Sequence, residues 1–380
     1  MKRIAWLDML RGYALVCIML DHMPVSVMRG LTLTNFVVFD AAELFVLLSG
    51  FLVGLVWLKV QQEQGPGAAR KRFWRRALQV WLALIAGSIA LALLSWLLFS
   101  FDLRHTAVWS AYSRMIAENP FGYVATIALM WMQPNLMDVL ALYVVLIATV
   151  PLAMPVLLRH PFWFMAGSVA LWSVALPLNQ VIPNQRPGPG FLFNPFGWQL
   201  LFFCGAAMGA FRQQLGRALM PWARWLTALC VTIMLLGGVF VLATKLGETG
   251  RPVREAMLSV TGRIDKWSLD SVRLISALAA SWLVAVPLSG LFGRMAATVA
   301  GRALADIGKG GLWAFVACVL LSIFGDAAAL LVPKETWPGW FTRLAVDIWV
   351  IVALWAMSVA WLRRGALIAR YRNRSGGGAG

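Results

Sequence analysis

Ten residues separate Arg11 from His22 in the stretch "RGYALVCIMLDHMP", which is otherwise almost wholly apolar. On a helix, eleven steps of about 100° make three turns plus roughly 20°, so both side chains project from nearly one face. Their axial distance would be about 16 Å, roughly half the hydrocarbon thickness of a bilayer. Asp8 lies one turn before Arg11 and can pair with it. One stripe of a single helix is thus ionisable at both ends, and it must face protein or a water-filled cavity, because facing lipid is costly. Asp21 adjoins His22, and the next apolar run opens "FDAAELFVLLSGF" with Asp40 and Glu43. A histidine near carboxylates can serve as a general base while an acid orients its ring, or as one station of a proton relay.

The elements that must position these groups follow from composition. The chain has 380 residues, 61% hydrophobic and 13% charged, with a mean hydropathy of +0.75. A soluble domain is about half apolar and about a quarter charged. The fold class expected is therefore all-α, a polytopic membrane helix bundle. Apolar runs fall near residues 5–27, 38–58, 77–99, 137–157, 161–182, 195–211, 225–244, 272–292, 310–332 and 342–362, which predicts about ten transmembrane helices. The segment 120–133 is short for a span and reads as a re-entrant or interfacial helix, or as an extension of the fourth span.

Most of the 33 basic residues fall in alternate loops next to span ends, beginning with Lys2 and Arg3. The positive-inside rule then puts both termini in the cytoplasm. It also brings Asp21, His22, Asp40 and Glu43 to the outer side. The net charge of +17 is distributed as topology signals and not as a separate basic module, which argues against nucleic acid as a partner. Cys17, Cys204, Cys230 and Cys318 lie inside apolar runs and read as small core hydrophobes, with no metal site. Asp8 and Arg11 interrupt what would be the apolar core of a signal peptide, so no cleaved leader is expected. One transmembrane domain over 1–365 and a flexible cytoplasmic tail over 366–380 complete the expected organisation.

Four ordered stretches carry a resemblance: "LDMLRGYALVCIMLDHMP", "FDAAELFVLLSGF", "QPNLMDVLALYVVL" and "FNPFGWQLLFFCGAAMG". The arginine, ten-residue gap and histidine resemble the bacterial transmembrane acyltransferases sometimes called acyltransferase 3. The four stretches together resemble, more narrowly, the OpgC family, whose namesake places succinyl groups on osmoregulated periplasmic glucans. The stretch that reads Gly-Arg-x-Ser-Leu in that family is "IGKGGLWAF" here, with Lys309 in the arginine's place.

The resemblance implies an enzyme of the bacterial inner membrane that moves an acyl group from cytoplasmic acyl-CoA, succinyl-CoA or acetyl-CoA, to a periplasmic glucan or other glycan. The donor is a substrate, and no tightly bound cofactor is implied. Its phosphates would meet Arg72, Arg75, Arg76 and Lys309, with Arg11 deeper on the same side. His22 would act as general base or acyl carrier, with Asp21 or Glu43 orienting the imidazole. Arg11 or Arg273 could recognise a succinyl carboxylate. The acceptor would meet Gln133, Asp138, Asn194, Trp198 and Gln199, since sugars present hydroxyl edges and apolar faces. Asp306 and Asp347 are weaker candidates, and His105 and His160 fall in loops where solvation is expected. Two other readings keep the polar stripe: acetylation of another envelope glycan, and a proton-coupled transporter using Asp21, His22 and Glu43. The sequence carries no signal for oligomeric state.

Overall fold

The computed structural model describes residues 4–105, 109–184, 190–333 and 336–375, and every regular element among them is helical. Lys2, Arg3 and the end of the expected tail lie outside the described residues. The helices used below are α1 (Ala5–Asp21), α2 (Ala41–Gln64), α3 (Pro66–Ser100), α4 (Pro120–Ala128), α5 (Asp138–Arg159), α6 (Pro161–Ser173), α7 (Ala175–Gln180), α8 (Pro195–Ala210), α9 (Ala223–Lys245), α10 (Arg251–Thr261), α11 (Ser271–Ala285), α12 (Ser289–Ala297), α13 (Val299–Gly310), α14 (Leu312–Leu330) and α15 (Trp337–Ser375).

Among the described residues six helices are long and apolar enough to cross a membrane, and a seventh follows if α11 and α12 are one broken span. The six are α2, α3, α5, the stretch Arg212–Lys245 that contains α9, α14, and the Trp337–Arg364 part of α15. The remaining expected spans are helical too, but shorter, and proline accounts for most of the difference. α1 stops at Asp21 after 17 residues, with Pro24 just beyond it, so it covers about 25 Å where the apolar run had suggested residues 5–27. The run 161–182 is cut into α6 and α7, because Pro177 cannot donate to the Ser173 carbonyl. Pro287 ends α11 in the same way. α8 has only 16 residues. Both α1 and α8 are buried along most of their length, and helices shielded by protein need not match the bilayer.

The chain divides into two compact units, each assembled from separate stretches. The first comprises Met1–Thr32, Leu94–Ala107 and Gly290–Gly380. Here α1 lies along α13, and α14 and α15 pack with this pair. The seam between α1 and α13 depends on glycine in both partners. A Cβ on Gly12 would meet the Leu304 carbonyl oxygen at 1.8 Å, and one on Gly308 would meet that of Asp8 at 1.9 Å. Met9, Ala296 and Ala305 form a small buried cluster beside this seam. His105 departs from expectation: it is buried, its Nε2 lies 2.8 Å from Ser95 Oγ, and its ring stands 5.0 Å from that of Phe99. An aromatic ring beside it and a hydroxyl within reach replace the water a loop histidine would otherwise find.

The second unit comprises Leu33–Leu93 and Val108–Ser289. α2 lies along α8, and each contributes two glycines four residues apart. A Cβ on Gly50 or Gly54 would come within 2.0 and 2.2 Å of the Phe202 and Ala206 carbonyl oxygens. One on Gly205 or Gly209 would come within 2.3 and 2.1 Å of those of Leu47 and Phe51. This is small-residue packing, in which backbones approach because no side chain separates them. Tyr143 of α5 ties in by donating to the Phe45 carbonyl at 3.0 Å. α4 is a separate nine-residue helix capped by Asn119, and a turn region divides it from α5, so it does not extend that span.

Candidate active site

In the first unit His22 is the C-cap of α1, exposed at the point where the helix turns into the Met23–Thr32 segment. Its Nδ1 lies 2.6 Å from the Ile18 carbonyl oxygen. A carbonyl can only accept, so this bond requires a proton on Nδ1 and gives the neutral ring a lone pair at Nε2. The orienting partner is thus a backbone carbonyl one helical turn back. Asp21 Oδ1 accepts the Thr32 hydroxyl at 2.7 Å, which pins the far end of the same segment. Asp347 of α15, buried, accepts from the Met28 amide at 2.9 Å and fixes the middle. Asp8 and Arg11 stand 4.0 Å apart on α1. Lys309 sits in the last turn of α13, where it pairs with Asp306 at 2.7 Å.

The second unit holds an ionic cluster at the start of α2. Asp40 is the N-cap, accepting from the Ala42 amide at 2.7 Å, while Glu43 reaches back to the Asp40 amide at 3.0 Å, a complete capping box. Glu43 is fully buried, and its other oxygen takes Arg273 Nε of α11 at 2.5 Å. Arg273 also donates to the Val38 carbonyl at 2.9 Å and stands 3.4 Å from Asp40, whose Oδ2 meets Lys266 Nζ at 2.6 Å. The two carboxyl groups and the two cations lie in contact, so each buried charge has a partner. Burial alone would raise the Asp40 pKa, but the Lys266 and Arg273 charges prevail and hold it well below the carboxylate range. Burial would lower that of Lys266, and Asp40 reverses this, raising it above its ordinary value.

The expected acceptor residues also lie in this unit, mostly engaged in holding loops. Asn194 caps α8 through the Phe196 amide at 3.0 Å and donates to the Ala175 carbonyl at 2.8 Å. Trp198 is fully buried and donates to the Trp267 carbonyl at 3.0 Å. Gln199 exchanges two hydrogen bonds with Ser168, at 2.5 and 2.8 Å. Gln133 accepts from the Leu192 amide at 3.1 Å, and Asp138, buried at the first position of α5, accepts from the Val139 amide at 2.9 Å. Arg72 and Arg75 are exposed near the start of α3, and Arg76, half-buried, reaches Gln79 at 3.4 Å.

Sequence reasoning missed Lys266 altogether, although "DKWSLDSVR" places a lysine and an arginine around Asp270. It also missed the Ile18 carbonyl, which no side-chain pattern encodes.

These features define an all-helical membrane protein whose ionisable groups are gathered into organised, partly buried sites. The chain belongs to the OpgC protein family, whose model matches residues 3–364. That membership implies a transferase. No curated protein and no solved structure matches the chain.

Proposed function

We propose that the chain is an inner-membrane O-acyltransferase of the acyltransferase 3 superfamily, carrying succinyl from cytoplasmic acyl-CoA to hydroxyls of a periplasmic glucan. About ten spans with both termini cytoplasmic belong to the same reading, with the short helices counted as protein-shielded spans. Family membership over nearly the whole chain supports the glucan-succinylating class. The observation that carries the mechanism is the His22 Nδ1 bond to the Ile18 carbonyl.

With Nδ1 protonated and held, Nε2 is the basic atom and His22 is exposed to a substrate. Nε2 takes the proton of an acceptor hydroxyl as the oxygen attacks the thioester carbonyl. The carbon–sulfur bond then breaks, and the departing thiolate recovers the proton from the imidazolium. In the covalent variant Nε2 itself attacks the thioester carbonyl, and the carbon–sulfur bond breaks to release the thiolate. The sugar oxygen then attacks the acyl-imidazole, the carbon–nitrogen bond breaks, and the freed Nε2 takes the hydroxyl proton and returns it to the thiolate. Asp21 and Asp347 keep the Met23–Thr32 segment fixed beneath the histidine. Arg11 would meet the donor's arm, and Arg72, Arg75, Arg76 and Lys309 its phosphates. Glu43 with Arg273 organises the start of α2. Gln133, Asp138, Asn194, Trp198 and Gln199 would shape the acceptor side through the loops they hold.

The test is purified protein with labelled succinyl-CoA or acetyl-CoA and periplasmic glucan. Succinyl transfer should exceed acetyl transfer, and His22→Ala at equal protein level should lower it about 10²–10⁴-fold. Undiminished transfer by that variant ends the mechanism. Preferential acetyl transfer reassigns the donor, and no release of coenzyme A combined with proton-coupled uptake favours the transporter.

A further inference from the structure

In the second unit a cavity of about 660 Å³ lies where the start of α2, the end of α9 and the segment after α10 meet. Small-molecule sites occupy roughly 300–1,000 Å³. Phe240 and Val241 of α9 supply part of a mainly apolar wall, while Lys245, Arg263 and Arg273 bring three positive charges against the one carboxylate of Asp40. That carboxylate is already neutralised, by Lys266 at 2.6 Å and Arg273 at 3.4 Å. Lys245 and Arg263 therefore set the sign of the field. Lys245 donates to the Asn35 carbonyl at 2.9 Å and lies over the Phe36 ring, and no carboxylate among the described residues pairs with it.

The apolar wall belongs to a helix left open on its outside. Only 11% of the spanning window of Arg212–Lys245 is buried, and Leu235, Leu236 and Leu242 are exposed along it. Hydrocarbon chains are the natural cover for such a surface. α10 is short and amphipathic, with Val253 and Val260 exposed among arginines, as suits a helix lying at the membrane–water boundary. A cationic cavity thus adjoins a lipid-facing helix at boundary level.

We propose that this cavity binds an anionic phospholipid, its phosphate between Lys245 and Arg263 and its chains along α9. The assignment goes beyond the transfer reaction and does not depend on it. Charge decides against a zwitterionic lipid, and the apolar wall against a free phosphate.

The test uses the full chain in detergent, stripped of co-purified lipid. It is given phosphatidylglycerol, phosphatidylcholine, glycerol phosphate or inorganic phosphate at equal concentration, and retained ligand is read by native mass spectrometry. Phosphatidylglycerol should be retained at least about five-fold more than phosphatidylcholine and should raise the unfolding temperature. Lys245→Gln with Arg263→Gln should abolish the preference. Arg263→Gln alone, at an exposed side chain, should reduce it if the double variant is not recovered folded. Equal retention of the two lipids, an unchanged preference in the variants, or equal stabilisation by the soluble phosphates overturns the assignment. So does displacement of the lipid by glucan, which would make the cavity a carbohydrate site.

Discussion

Asp40 shows how a buried acid can stay charged: the penalty of leaving water is outweighed by two cations and by the first amide groups of α2. Because its folded pKa is lowered, the stability it contributes is fully present above the ordinary carboxylate value of about 4 and is lost as pH falls below it. Lys266 has a raised pKa, so its contribution is present below the ordinary lysine value of about 10.4 and is lost as pH rises through the higher folded one. The pair should therefore hold stability level between about pH 5 and 9. Thermal unfolding in detergent should show the wild-type midpoint dropping below about pH 4. Asp40→Asn should start lower and lose less over that acid range, and parallel curves for the two proteins would contradict the assignment. Some of this was legible beforehand. The Arg11–His22 spacing could be read because both groups lie on one helix. The partners of Asp40 and Glu43 could not, since Lys266 and Arg273 come from a distant loop and helix and sequence spacing says nothing about such meetings.

At the level of elements, the helices were easier to find than their ends. Hydropathy locates apolar runs, but Pro24, Pro177 and Pro287 decide where hydrogen bonding stops, and each shortens a run that looked continuous. The pairing of α2 with α8 also had a readable sign, the glycine pairs Gly50 with Gly54 and Gly205 with Gly209, which the search for reactive groups passed over. Their contacts make a sharp prediction. Gly205→Val would place a Cβ 2.3 Å from the Leu47 carbonyl oxygen, and backbone on both sides leaves little room to yield. The cost should exceed the about 1–3 kcal/mol typical of overpacking. Monodisperse protein recovered after detergent extraction should fall sharply, whereas Gly67→Val, in open space, should leave it unchanged. Equal recovery of both variants would show that the seam is looser than it looks.

For the molecule as a whole, the proposed reaction is directional, with donor and acceptor on opposite sides of one membrane. Vesicles of uniform orientation should take label from added succinyl-CoA only when the cytoplasmic face is outward, with product inside. Equal labelling in both orientations would remove the transmembrane geometry from the proposal while leaving the transfer chemistry standing. The class of protein was plain from composition. The count of spans was not, because a helix enclosed by its neighbours is released from the length rule that governs one bathed in lipid. The seams around Gly12, Gly308 and the α2–α8 glycines bear on how this chain is best probed by mutation. A scan that trims side chains to alanine tests what side chains contribute, and it passes over residues that have none. At these seams the essential property is the missing atom. The chain's least tolerant positions should emerge from a scan that adds bulk, and a survey by removal would leave them looking unremarked.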